Sequence, residues 1–135
     1  MRAYAVALAR STRVPLLLDE SMTIEYTDVN DTLRRIALSG RLDIAGTDAI
    51  ALQFSAMTSS AQRRAVVDLS AVDFLASIGI RAIVANARAM QQRGSRMVLF
   101  VGDNAPVAKT LEMTGIDAVI PMFADLVQAE EAAQA

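Results

Sequence analysis

The chain has no histidine and no cysteine, and of its thirteen basic residues only Lys109 is a lysine. Without imidazole or thiolate, the common zinc sites are excluded, as is every serine–histidine or cysteine–histidine nucleophile pair. No disulfide can form, so cysteine usage says nothing about redox compartment. Glycine is scarce, and the six glycines never fall into GxGxxG. Lys109, in "APVAKT", has none of the glycines that a P-loop needs, so no nucleotide fingerprint is present. No apolar run approaches the roughly eighteen residues of a membrane span. Charge of one sign is also missing: thirteen basic residues stand against fifteen acidic ones, net -2, and the arginines are scattered, so no phosphate-binding face for nucleic acid is expected. No metal or cofactor is expected either.

What is present is ample core material: 135 residues, 53% hydrophobic and 21% charged, the size of one domain. Residues 1–21 show neither strand alternation nor a capped helix. They read as an extension, either mobile or added as a strand at a sheet edge, or as residues upstream of a natural start at Met22. The apolar run from Ala3 is short and soon interrupted by Arg10 and Arg13, so an export signal is not expected.

From Met22 the patterns sharpen. "MTIEYT" and "LRRIALSG" alternate as half-buried strands and, joined by the turn chemistry of "DVNDT", predict an antiparallel hairpin ending at Gly40. Ile50, Phe54 and Met57, spaced by four and three, predict a helix over residues 47–60. "RAVVDLS" reads as a strand buried on both faces. A second helix over 77–93 turns Ile80, Ile83, Val84 and Ala87 inward and Arg81, Arg88 and Gln92 outward. "RMVLFV" is another buried strand, followed by a helix capped at Asn104 and ending at Gly115. "AVI" before Pro121 predicts a last strand, and the terminal helix is expected to fray after Glu131, leaving 132–135 as a tail. The order β-β-α-β-α-β-α-β-α predicts an α/β domain over 22–131, mostly parallel with an antiparallel N-terminal strand.

The segment "DLSAVDFLASIGIRAI" resembles the signature of STAS domains, specifically of bacterial anti-sigma factor antagonists, which read approximately D-L-S-x-V-x-F-x-D-S-[ST]-G-L. "SGRLDIAG", "EMTGI" and the element order extend the resemblance over roughly the last four-fifths of the chain. It implies a STAS-type fold and a cytoplasmic, non-enzymatic regulator that binds an anti-sigma factor. That partner would also be a Ser/Thr kinase, would itself bind the ATP, and would phosphorylate Ser77 to break the complex. It further implies that Asp43 and Ser77 belong to the partner surface, which is expected to include Ile44, Ile78, Gly79 and, from its place on the exposed helix face, Arg81. Two positions depart from the pattern: Ala76 stands where it has Asp, and Ile78 where it has Ser or Thr. The loss of that carboxylate motivates a second reading, an accessory STAS subunit held by the cytoplasmic ATPase of a membrane transporter. An enzyme using Ser77 as nucleophile ranks third, because no base accompanies it.

Each of these residues also has a purely structural reading. Ser77 would serve well as a helix N-cap, worth about 1 kcal/mol. Asp43 could close a turn after Gly40. Asp73 reads as a solvated acid, Arg81 and Arg88 as one exposed helix face, and the seven methionines as core.

Overall fold

The computed structural model describes residues 12–14 and 22–135. Among the described residues six strands form one sheet in the order of the chain: β1 (Thr12–Val14), β2 (Met22–Asp28), β3 (Leu33–Leu42), β4 (Arg64–Leu75), β5 (Met97–Phe100) and β6 (Met122–Phe123). β2 is antiparallel to both β1 and β3; from β3 onward every pairing is parallel. The fold is the α/β one expected. The extension expected over 1–21 lies outside the described residues, apart from 12–14, which pair with β2 from Thr12↔Tyr26 to Val14↔Ile24.

Parallel neighbours need crossovers, and helices supply them: α1 (Ile44–Met57), α2 (Ser77–Gln92) and α3 (Ala105–Met113), with α4 (Leu126–Gln134) closing the chain. Alternation along the strands sorts the two faces. Ala65, Val67 and Leu69 of β4 point to the side covered by α1 to α3, where Ile50, Phe54, Ile83, Met90 and Leu111 complete the main core. Val66 points the other way and joins Leu33 and Val98 beneath Ala129 and Ala133 of α4.

Several element boundaries differ from those expected, each for a local reason. β3 does not end at Gly40 but passes through it at φ 105°, a left-handed conformation that suits glycine, and its register against β4 shifts there. β4 runs on to Leu75. A second register shift follows Ala37, opposite a stretch where the Asp68 carboxylate accepts from the Ser70 N–H at 2.9 Å and the Ser70 hydroxyl at 2.6 Å. Asn104 braces the same stretch, donating to the carbonyls of Leu69, Ser70 and Val72 while accepting from the Val107 N–H as the cap of α3. α1 begins at Ile44 because Asp43 caps it, and stops at Met57, where the Thr58 hydroxyl and N–H both turn back to the Phe54 carbonyl. "AVI" is not a strand: a 3-10 turn occupies Ile116–Ala118, and pairing with β5 resumes only after Pro121, at Met122. α4 continues to Gln134 instead of fraying after Glu131, since Ala133 is buried and Arg64 and Arg96 donate to the carbonyls of Ala132, Ala133 and Ala135.

Candidate functional site

β3 and β4 end side by side, with Leu42 paired to Leu75, and each feeds a helix through one extended residue. Asp43 leads into α1 at φ -89°, ψ -167°, and Ala76 into α2 at φ -85°, ψ 166°. The Ala76 N–H donates to the Leu42 carbonyl at 3.0 Å, tying the two exits together. Two helix N-termini therefore open at the carboxyl ends of adjacent parallel strands, the place where α/β sheets commonly build their sites.

The two helix starts share a backbone shape but not a cap. The Asp43 carboxylate accepts from the Gly46 N–H at 2.8 Å and from Arg41 at 3.4 Å, and the Arg41 guanidinium lies 4.5 Å above the Phe74 ring. The Gly46 hydrogen bond, aided by Arg41, holds the Asp43 carboxyl below its ordinary value against a smaller opposing effect of desolvation. Asp43 is thus the cap of α1, beyond a simple turn contact.

Ser77, expected as the cap of α2, is instead its first helical residue. The cap position belongs to Ala76, which has no acceptor to offer. The Ser77 side chain is exposed, and its hydroxyl makes no hydrogen bond among the described residues. Without the family pattern's Asp, the cap position cannot engage the N–H groups of the first turn.

Of the other expected site residues, Ile44 is 75% exposed and Ile78 38%. Both border a recess of about 420 Å³ between α1 and α2, with Ala51 and Ala82 completing its apolar wall and Asp48 and Arg81 facing it from opposite helices. Gly79 does not belong to this surface. It is buried, and a Cβ there would sit 3.0 Å from both the Cβ and the carbonyl oxygen of Leu42, so its role is to let α2 start against the end of β3. Gly46 does the same for α1, where a Cβ would come within 2.0 Å of the Arg41 carbonyl oxygen. Asp73 is exposed near the end of β4, and Arg88 lies on α2 away from the recess.

Two features of the site escaped the sequence reading. Thr47 lines the recess, 5% exposed, with a hydroxyl that finds no partner among the described residues; on an apolar helix it reads only as core. The outer side of α1 is unusually apolar: Asp48 is the one charge in its fourteen residues, and Leu52 is 82% exposed. A helix apolar on every side is ordinarily covered. The arrangement offers a hydroxyl without a partner among the described residues, one residue before Ile78 of the recess wall, with no base in contact with it, and among the described residues no cluster of acids suited to a metal. Nor is any helix among them long and apolar enough to cross a membrane.

A family model described as "Mlab, STAS domain" matches residues 23–127. Among solved structures, an anti-sigma factor antagonist from Mycobacterium paratuberculosis superposes with a TM-score of 0.73 at 24% identity, over 85% of this chain and 96% of its own. The anti-sigma factor antagonist SpoIIAA in its unphosphorylated form gives 0.65 at 15% identity, over 83% and 97%. No curated protein matches the sequence.

Proposed function

The chain belongs to the STAS domain family, and from that premise we propose that it is an anti-sigma factor antagonist, a protein-binding module switched off by phosphorylation of Ser77. The observation that carries this reading is the Ser77 hydroxyl, exposed and without a partner among the described residues, at the start of the helix that brings Ile78 and Arg81 to the recess. Unmodified, the surface of Asp43, Ile44, Ser77, Ile78 and Arg81 binds an anti-sigma factor in the cytoplasm. That partner, acting as a Ser/Thr kinase with its own ATP, transfers the γ-phosphoryl group to the Ser77 Oγ; the hydroxyl proton is lost and ADP leaves.

The modification suits the free protein and not the complex. At a helix N-terminus the dipole favours the roughly -1.5 to -2 charge that a phosphate brings. At a packed apolar contact the same group must be desolvated, and a loss of about 3 kcal/mol weakens binding more than a hundredfold. A second reading, an accessory subunit bound by a transport ATPase, is favoured by Ala76, which removes the carboxylate beside the phosphoacceptor. Incubation with the captured kinase and ATP tests the first reading by peptide mass spectrometry. Label on Ser77 supports it; label elsewhere, or capture of a transport ATPase in place of a kinase, refutes it.

A further inference from the structure

Among the described arginines, Arg34, Arg35, Arg41 and Arg63 pair with carboxylates, and Arg64, Arg93 and Arg96 donate to carbonyls. On α2, Arg81 and Arg88 have no such partner among the described residues, and of the two only Arg81 borders the recess. It faces Asp48 across the recess without forming an ion pair, and the nearby Asp43 is already occupied by Gly46 and Arg41. Its position on α2 is four residues after Ser77, one turn further along the same helix face. Residues at this spacing are neighbours, and the order acid first, base second is the favourable one. An arginine is also the side chain best shaped to hold a phosphate through two parallel hydrogen bonds.

We propose that Arg81 is the receptor for the phosphate on Ser77. Modification then acts twice on the surface: it adds a dianion at Ser77, and it engages the one cation lining the recess, so a partner acid that pairs with Arg81 loses its counter-charge. Ala76 fits this arrangement. An aspartate at the cap position would compete with the phosphate for the first-turn N–H groups, whereas alanine leaves them available. The inference rests on the reading of Ser77 as the phosphoacceptor, but its test needs neither kinase nor partner.

The full chain is produced with phosphoserine incorporated at position 77 during translation, and the second phosphate ionisation, ordinarily near 6, is followed by phosphorus NMR. In the folded protein it should lie below that of the same chain in denaturant. Arg81→Gln should move it up by about 0.3 unit or more, the equivalent of one i,i+4 charge pair. Arg88→Gln, which alters another exposed arginine on the same helix but away from the recess, should leave it unmoved. Circular dichroism would establish that each variant keeps the fold. A titration indifferent to Arg81, or equally sensitive to Arg88, overturns the proposal while leaving phosphorylation of Ser77 standing. Conversely, a partner that binds the phosphorylated chain undiminished would overturn the switch while leaving the Arg81 contact intact.

Discussion

Giving α2 the cap it lacks is a direct test of how the first turns of α1 and α2 are built. Ala76 has nearly the backbone conformation of Asp43, and each stands three residues before a buried glycine whose N–H lies in the first turn. An aspartate at position 76 should therefore accept from Gly79 as Asp43 accepts from Gly46, a gain of about 1 kcal/mol. Against it works repulsion from Asp43, on the neighbouring strand end. At roughly 5 Å in water, screened by physiological salt, this costs about 0.4 kcal/mol. The cap wins, leaving roughly 0.6 kcal/mol, or about 2 °C in Tm for a domain of this size. Ala76→Asn makes the same hydrogen bond without the charge and should gain the larger share, near 4 °C. Thermal denaturation followed by circular dichroism at neutral pH measures both. Because the new carboxyl would titrate below its unfolded value, the Asp gain should be full above about pH 4 and vanish as pH falls through the folded value. If neither variant raises Tm, the first turn of α2 is already satisfied and the account of Ala76 is wrong.

Ser77→Ala should change stability little, within about 0.5 kcal/mol, because Ser77 is not the cap. A loss larger than 1 kcal/mol in urea denaturation would place its hydroxyl in a structural bond after all. Gly79→Ala should cost about 1–3 kcal/mol through the contact with Leu42, measurable as a lower urea midpoint at unchanged slope. Phe54→Ala, at 2% exposure, should cost about 3–5 kcal/mol. Asp43→Ala should destabilise α1 at neutral pH. The lowered carboxyl contributes above the unfolded value of 3.8 and loses that contribution as pH falls through its folded value, so the wild-type and Asp43→Ala melting curves should converge in acid.

What the sequence made legible was whatever burial writes into residue spacing. Ile50, Phe54 and Met57 on α1, Ile80 and Ile83 on α2, and Ile24, Ile36 and Leu38 on the hairpin all lie in the core, at the positions that 3.6- and 2-residue periods select. The misses occur where no period reports. The first turn of α1 is exposed at Ile44 and Ala45, so the apolar spacing begins too late to mark it. β4 carries its irregularity around Asp68 and Ser70, which conceals that the strand continues through Phe74 to Leu75. Ser77 drew the cap assignment because serine is a good cap and alanine is not. The extended backbone of Ala76, fixed by its N–H to the Leu42 carbonyl, makes Ala76 the cap and leaves Ser77 the first helical residue, so the helix starts where the spacing placed it. The recess was invisible because its parts come from two helices joined only by the pairing of β3 with β4. Gly79 shows the opposite hazard: it stands within the family signature, yet it serves packing and not the surface.

The central claim is that a phosphate at Ser77 decides whether the surface is occupied. Its most direct test is the affinity of the captured anti-sigma factor for two full-length preparations, one unmodified and one carrying phosphoserine at position 77, compared by isothermal titration calorimetry in the same buffer. The account predicts tight binding to the first and a Kd weaker by about a hundredfold or more for the second, with both proteins melting as folded domains. Equal affinities for the two would contradict it and leave Ser77 an exposed residue at the start of a helix.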